Sequence, residues 1–200
     1  MLLQRILFTL GTPIAWLVFR PTVEGRRNLR RRGGCVICPI HLSGYDSFAV
    51  GYAMWPRAGR CMAKVELFRR PLLGPLVRSL GAFPSRGGEG LPGGVPAAAE
   101  LASRGDAVVI FPEGARRRGR VRRPRTGAAR VALAAGVPIV PVALRGTDGW
   151  RERRRWRVLV GEPIDLSDIA DTGSHAAAHE ATRRLWHAVQ RLEATLDGAA

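Results

Sequence analysis

The sequence contains very little lysine, few aromatic residues and a small, odd number of cysteines. Its 200 residues carry a formal net charge of +16, yet Lys64 is the only lysine and arginine supplies the rest of the positive charge. Three cysteines argue against a disulfide framework and favour a reducing compartment. Aromatic residues make up 6% of the chain, which argues against a surface that stacks on nucleic-acid bases. The charge nevertheless predicts an anionic partner: nucleic acid, an anionic membrane or a phosphorylated small molecule.

Several signatures of catalysis and metal binding are also missing. The chain contains no G-x-S-x-G serine motif and no P-loop. Cys35, Cys38, Cys61 and His41 together make a Cys3His set of the kind that binds zinc. However, Cys35 and Cys38 fall in a strand-like run in which positions three apart face opposite sides. A second paired motif is absent, so buried packing is the favoured interpretation and we expect no metal.

Residues 1–20 are the candidate for membrane contact. About 18 mostly apolar residues would form a helix of about 27 Å, barely the thickness of the hydrocarbon core. Arg5 interrupts the run, and Gly11 and Pro13 lie near its middle. Trp16 and the basic run that follows are typical of anchoring at the lipid headgroups. We expect a helix in the membrane interface rather than a span, with a helix packed on the core as the alternative.

Residues 21–200 alternate short apolar runs with stretches of helical periodicity. This alternation predicts one α/β domain with a central mixed, partly parallel sheet flanked by helices. An amphipathic stripe predicts a single closing helix at the C-terminus. The predicted strands are 35–39, 60–64, 107–111, 137–144 and 156–161, and the other predicted helices are 47–55, 95–104 and 127–135.

The stretch HLSGYD places a histidine and an aspartate five positions apart between two apolar runs. One interpretation is a helix start, with Ser43 as N-cap and Asp46 completing a capping-box-like pattern. On a straight helix five residues rotate by about 500°, so His41 and Asp46 could not meet there. If the helix begins near Ser43, His41 lies in the preceding turn and one imidazole nitrogen can donate to Asp46. The other nitrogen is then available as a general base, so both interpretations fit one structure.

Two further stretches carry candidate phosphate ligands. FPEGARR follows a predicted strand directly, with Glu113 available for substrate hydroxyls, Gly114 for a close approach and Arg116 for phosphate. GAFPSRGG ends another apolar run and places Arg86 beside glycines. In a chain so rich in arginine, a solvated surface position explains either arginine equally well.

These stretches together resemble the glycerolipid acyltransferase family, of the 1-acylglycerol-3-phosphate (lysophosphatidate) acyltransferase type. The resemblance covers about residues 22–165 and includes four blocks in the family's order. HLSGYD matches its H-x4-D block, GAFPSR its glycine-phenylalanine-arginine block, FPEGAR its F-P-E-G-T-R block and VPIVPVAL its proline-centred block. Lys64 stands at a position that is commonly lysine in the family.

The resemblance implies an O-acyltransferase in which His41 deprotonates the free hydroxyl of the acceptor and Asp46 orients His41. The acyl group would come from a thioester of coenzyme A or acyl carrier protein, with no metal, no other cofactor and no covalent acyl-enzyme. Residues 137–144 would line the acyl or thioester region. The residues implied in substrate binding are Lys64, Arg86, Glu113, Gly114 and Arg116.

Three departures from the family pattern leave the acceptor open. Gly87 stands where the second block usually has its arginine, Ala115 replaces the usual threonine, and Arg117 replaces the usual serine. Another lysolipid or a membrane alcohol is therefore the alternative acceptor. A basic nucleic-acid-binding protein is the alternative from a different class.

The family likeness also implies the partners and the location. We expect an anionic membrane surface, a lysophospholipid acceptor and a thioester donor as partners, with no nucleic acid among them. The expected location is the cytoplasmic face of the cell membrane, as a peripheral or monotopic protein.

Overall fold

A computed structural model describes residues 2–85, 94–117, 123–149 and 155–198, which form seven strands and seven α-helices. The strands are β1 (Thr22–Glu24), β2 (Cys35–Pro39), β3 (Gly59–Lys64), β4 (Ala82–Ser85), β5 (Ala107–Val109), β6 (Ile139–Arg145) and β7 (Arg157–Val160). The helices are α1 (Leu2–Phe19), α2 (Asp46–Met54), α3 (Val65–Phe68), α4 (Leu73–Ser79), α5 (Gly94–Ser103), α6 (Gly127–Ala135) and α7 (His175–Gly198).

The predicted strands and helices are all present, with ends within two residues of the expected positions. The single α/β domain with a mixed sheet is therefore confirmed. Strands β1 and β4 and helices α3 and α4 were not predicted, because elements this short carry no clear periodicity. A helix does occupy residues 2–19, while its contact with a membrane remains a prediction.

The sheet has the strand order β1-β7-β6-β2-β5-β3-β4. Every neighbouring pair is parallel except β6 and β7, which are antiparallel. Strands β6, β2, β5, β3 and β4 therefore end at the same edge. The register places Ile37 opposite Val109 and Lys64 opposite Ser85. In open α/β sheets this carboxyl edge is where ligands bind.

The core lies between the central strands and the helices that cover them. All five residues of β2 are buried, as a central strand with covered faces requires. Helix α6 contacts both α5 and α7, and α7 also contacts β6 and β7. On α7 the predicted stripe is buried at Ala181, Leu185, Val189 and Leu196. Helix α7 thus closes the domain over the part of the sheet that carries β6.

Helix α1 contacts α2 and is anchored by Gln4. The Gln4 side-chain nitrogen donates to the carbonyls of Gly59 and Leu80, each at 3.0 Å. Within the described ranges, no helix combines the length and the apolar character needed to cross a membrane.

Candidate active site

The predicted catalytic residues lie at the carboxyl edge of the sheet. His41 follows the end of β2 by two residues, and Asp46 is the first residue of α2. Glu113 follows the neighbouring strand β5, and Thr147 follows β6 on the other side of β2. The sheet order thus brings three separate chain segments together around one turn.

His41 and Asp46 form the predicted pair. The distance from His41 Nδ1 to Asp46 Oδ2 is 2.8 Å. A carboxylate only accepts hydrogen bonds, so Nδ1 carries the proton and Nε2 of the neutral ring keeps its lone pair. The Asp46 side chain is completely buried, whereas 20% of the His41 side chain is exposed. The pair therefore offers one imidazole nitrogen that can act as a base.

Asp46 is held by four donors at 2.8 Å or less from two separate segments of the chain, and the Ser43 hydroxyl is a fifth donor at 3.5 Å. Its Oδ2 accepts the backbone N–H of Leu42 at 2.7 Å and of Ser43 at 2.8 Å, in addition to the His41 ring. Its Oδ1 accepts the hydroxyl of Thr147 at 2.6 Å, and both of these residues are buried. A buried carboxylate needs such partners to remain ionised. No motif in the sequence pointed to Thr147 as part of the site.

The turn before α2 differs in detail from the predicted capping box. Regular helix begins at Asp46, with Tyr45 in the cap position, so Ser43 lies two residues before that position. The Ser43 hydroxyl accepts the Tyr45 N–H at 3.0 Å and donates to the Thr147 carbonyl at 2.8 Å. Asp46 still reaches back to the Ser43 N–H, so this half of the predicted pattern is confirmed.

His41 is also fixed from the side of β5. Its ring stacks on Phe111 with 4.2 Å between the ring centroids. Its carbonyl accepts the backbone N–H of Arg117 at 2.8 Å. Phe111 thus packs directly against the His41 ring.

Glu113 is 1% exposed and pairs with Arg117. The Arg117 Nε donates to Glu113 Oε1 at 2.8 Å. Glu113 Oε2 is buried without a hydrogen-bond partner among the described residues. Burial raises the pKa of Glu113 from its usual 4.5. This effect is larger than the lowering by the Arg117 guanidinium and the His41 backbone amide. Glu113 therefore lies beside His41, and its role towards the acceptor remains a prediction.

Arg117 connects the site to the closing helix. Its Nη2 donates to Glu193 Oε2 at 3.2 Å, its Nη1 also bonds that carboxylate, and the guanidinium lies 5.5 Å from the Trp186 ring centroid. Burial lowers the pKa of Arg117, but the Glu193 and Glu113 carboxylates outweigh burial and leave it raised. Arg117, one of the three departures from the family pattern, is therefore a largely buried cation between two carboxylates.

Arg116 points away from this ion pair and is exposed. A side chain added at Gly44 would place its Cβ 3.4 Å from Arg116 Nη2, so the guanidinium lies against the turn between His41 and Asp46. Gly114 has a φ of +70°, and a Cβ there would lie 3.2 Å from Arg125 Nε. The glycine thus provides both the left-handed backbone and the room for Arg125. Neither Arg116 nor Arg125 pairs with a carboxylate among the described residues.

Lys64 and Arg86 are further from the pair. Lys64 is the last residue of β3, is exposed, and lies opposite Ser85 of β4. Strands β3 and β2 are separated by β5, so these two strands lie about 10 Å apart. Arg86 lies outside the described residues. No three His, Cys, Asp or Glu side chains within the described ranges are placed to hold a metal ion.

Residues 20–145, which contain this whole site except Thr147 and Glu193, match the family model described as Acyltransferase. The chain belongs to the acyltransferase family. The expectation of an O-acyltransferase is thereby confirmed over the alternative of a basic nucleic-acid-binding protein.

Named relatives of this acyltransferase agree with the family. A 1-acyl-sn-glycerol-3-phosphate acyltransferase of Bacillus subtilis is 29% identical over 178 residues, covering 88% of this chain and 89% of that protein. The enzyme of the same name from Streptococcus pneumoniae is 31% identical over 165 residues, covering 79% of this chain and 60% of that protein. The crystal structure of the 1-acyl-sn-glycerophosphate acyltransferase PlsC from Thermotoga maritima matches with a TM-score of 0.71 at 20% identity. This match covers 96% of this chain and 80% of that chain, and it supports the fold.

The acyltransferase also contains an apolar cavity of about 240 Å³ that begins beside the His41–Asp46 turn. Gly44 and Ser47 line the end nearest the turn. Its largest apolar lining residues come from α1 to α3 and from the residues that follow α2 and α4, and are Phe8, Phe48, Met54, Trp55, Leu67 and Leu80.

The proline-centred run does not line this cavity. Most of residues 137–144 form β6, whose side chains from Ile139 to Leu144 are all buried between β2 and β7. That this run lines the acyl or thioester region therefore stays a prediction, which this cavity does not support. An apolar run that continues through a central strand is explained by burial in the sheet.

Proposed function

We propose that this acyltransferase moves a fatty acyl group from a thioester to the free hydroxyl of lysophosphatidate, which gives phosphatidate. The observation that carries the proposal is the His41–Asp46 pair, with Nδ1 bonded to a buried, fully occupied carboxylate and Nε2 available. The names of the relatives support lysophosphatidate as the acceptor. The donor would be acyl-CoA or acyl carrier protein.

The reaction needs one proton to leave the acceptor and one to reach the thiol. His41 Nε2 takes the proton of the hydroxyl as the oxygen attacks the thioester carbonyl. The new C–O bond forms, the C–S bond breaks, and the imidazolium returns its proton to the departing sulfur. Asp46 stabilises the imidazolium and prevents the ring from turning. A positioned general base of this kind contributes about 10²–10⁴-fold to the rate.

The acceptor phosphate would be bound by cations at the carboxyl edge of the sheet. Arg116 lies beside the His41–Asp46 turn and has no carboxylate partner among the described residues. Lys64, at the end of β3, would extend this positive edge, and Arg86 is proposed as a further phosphate ligand from its place in the family's second block. Gly114 allows the main chain to approach the ligand, and Glu113 keeps one carboxylate oxygen for an acceptor hydroxyl. A phosphate held by arginine places the neighbouring hydroxyl within reach of Nε2.

The acyl chain would occupy the apolar cavity. The cavity adjoins Gly44 and Ser47, next to the proposed base, and its walls are mainly aliphatic and aromatic. Helix α1 would lie in the membrane interface at the cytoplasmic face of the cell membrane. Its exposed side is apolar, with Leu10, Ile14, Trp16 and Leu17 each more than half exposed.

The test is acyl transfer by the full chain in detergent micelles, with oleoyl-CoA and oleoyl acyl carrier protein as donors in separate reactions. Lysophosphatidate, two other lysophospholipids and a long-chain alcohol are offered as acceptors, and products are identified by mass spectrometry. We expect phosphatidate as the main product. Preferred acylation of another lysolipid would keep the acyl-transfer chemistry and reject lysophosphatidate as the acceptor.

A further inference from the structure

The large hydrophobic side chains that are exposed among the described residues are confined to three segments. Large hydrophobic residues that are exposed occur on α1, at one position of α2, and on α4 together with the residue before it. They are Ile6, Leu10, Ile14, Trp16, Leu17, Val18, Phe48, Leu72, Leu73 and Leu76. Scattered apolar residues are normal on a protein surface, whereas confinement to a few segments marks a contact face.

These three segments are neighbours in the fold. Phe8, Phe48 and Val77, from α1, α2 and α4, line the same cavity. Gln4 bonds the carbonyl of Leu80, which ties the start of α1 to the end of α4. Phe48 lines the cavity and is also 49% exposed, so the cavity reaches the surface at the apolar segments.

The segment around α4 combines leucine with arginine. Leu72 is 88% exposed, and Leu73 and Leu76 are also exposed. Arg69, Arg70 and Arg78 flank them and are exposed, and none forms an ion pair with a carboxylate among the described residues. We refer to Arg69, Arg70, Leu72, Leu73, Leu76 and Arg78 as the α4 patch. Leucine for the acyl boundary and arginine for the headgroups is the composition of a surface that binds anionic bilayers.

We propose that the α4 patch is a second membrane-binding surface, which seats the mouth of the cavity on an anionic bilayer together with α1. The inference extends the proposed function, since it places the cavity where lipid chains are present. A second copy of the chain is a poorer occupant, because a symmetric contact would oppose Arg69, Arg70 and Arg78 to their own counterparts. The net charge of +16 also favours an anionic surface, because two copies of the chain would repel each other.

The test is binding of the full chain to phosphatidylcholine vesicles with and without 30 mol% phosphatidylglycerol, about the anionic share that such a surface needs. Two variants are compared with the wild type: Leu72→Ser/Leu76→Ser and Arg69→Gln/Arg70→Gln. The matched control is Arg130→Gln/Arg191→Gln, which removes the same charge from exposed positions on α6 and α7 that have no carboxylate partner among the described residues.

We expect the leucine variant to bind at least tenfold more weakly to both kinds of vesicle. The arginine variant should lose roughly thirtyfold on anionic vesicles and little on neutral ones, whereas the control should change little. Wild-type affinity in both α4 variants would overturn the proposal, and so would an equal loss in the control. Sedimentation without lipid completes the test. A wild-type dimer that becomes a monomer in the leucine variant would assign the patch to a second copy of the chain.

Binding is measured without turnover, so the result does not depend on the acceptor or on catalysis. Acyl transfer to a water-soluble, short-chain acceptor should be the same in the α4 variants and the wild type. Transfer to lysophosphatidate within vesicles should fall in parallel with binding. If the wild type transfers no acyl group to the soluble acceptor while the α4 variants still lose vesicle binding, the proposed function fails and the membrane contact stands.

Discussion

The His41–Asp46 turn differs from the neighbouring arginines in whether its polar groups have hydrogen-bond or ion-pair partners within the protein. Both carboxylate oxygens of Asp46 have donors within the protein, and those donors come from two separate segments, residues 41–43 and Thr147. Arg116 and Arg125 are exposed and lack carboxylate partners among the described residues, whereas the neighbouring Arg117 is buried between two carboxylates. The chain thus fixes the groups that would move a proton and leaves available the groups that would bind an anion.

This contrast predicts that the largest loss of activity follows from breaking the fixed turn. Asp46→Asn keeps the shape of the side chain but cannot accept from all four donors or stabilise an imidazolium. We expect kcat to fall about 10²–10⁴-fold, with a smaller change in the KM for either substrate. Initial rates of thiol release at saturating donor measure the effect. A wild-type kcat in Asp46→Asn, with only KM changed, would contradict the role of Asp46.

Arg117→Ser restores the residue usual in the family and tests the buried ion pair. It leaves Glu113 without its cation, and breaking a buried pair typically costs about 3–5 kcal/mol of unfolding free energy. The control is Arg104→Ser, which breaks the exposed pair with Glu100 and should cost less than about 1 kcal/mol. Urea unfolding of both variants gives the comparison, and similar costs would contradict the structural role of Arg117.

The same pair predicts a dependence of stability on pH. The pKa of Glu113 is raised in the folded chain, so its contribution to stability is fully present below pH 4.5 and is lost as the pH rises through the folded pKa. Removing Arg117 raises that pKa further and extends the loss to higher pH. We expect the free energy of unfolding of Arg117→Ser to fall more steeply than that of the wild type above pH 4.5, by up to about 1.4 kcal/mol per pH unit. Parallel curves for the two proteins would contradict the raised pKa.

Arg116→Gln tests the unpaired side of the comparison. It removes a cation without leaving a buried partner, so stability should change little. Loss of a charge-assisted bond to phosphate should raise the KM for lysophosphatidate about 10–100-fold and leave kcat within a few-fold. Steady-state kinetics over a range of acceptor concentrations separates the two constants. An unchanged acceptor KM would assign Arg116 to the solvated surface.

Thr147→Val has the smallest expected effect and tests the hydrogen bond from Thr147 to Asp46. It leaves Asp46 Oδ1 without its hydroxyl donor, so we expect about a tenfold loss in kcat and a shift in the pH–rate profile. Thr147→Ser keeps the hydroxyl and should retain most of the activity. A loss in Thr147→Ser with full activity in Thr147→Val would mean that the methyl group, rather than the hydrogen bond, is what matters.

Local patterns in the sequence predicted much of the fold and the catalytic pair. Five positions separate His41 from Asp46, so turn geometry alone could place them in contact. Thr147 is 101 residues from Asp46, and Glu193 is 76 residues from Arg117. These contacts depend on β6 lying beside β2 and on α7 covering the sheet, which no local pattern specifies.

The absence of the proline-centred run from the cavity lining has a related cause. Apolar character in residues 137–144 is required equally by a lipid-lining surface and by a central strand, and only the strand order decides between them. The cavity is instead lined by residues spread from Gln4 to Val109, including the short helix α4. Seven residues are too few for a helical period to be recognised in the sequence.

The most direct test of the account is the rate of acyl transfer to lysophosphatidate by His41→Ala, beside the wild type and the control His179→Ala. His179 is an exposed histidine on α7, away from the carboxyl edge of the sheet. Thiol release and product lipid are followed in the same reactions, and thermal unfolding verifies that all three proteins are folded. We predict a loss of about 10²–10⁴-fold in His41→Ala and wild-type rates in His179→Ala. A folded His41→Ala protein that retains the wild-type rate would contradict the assignment of His41 as the base.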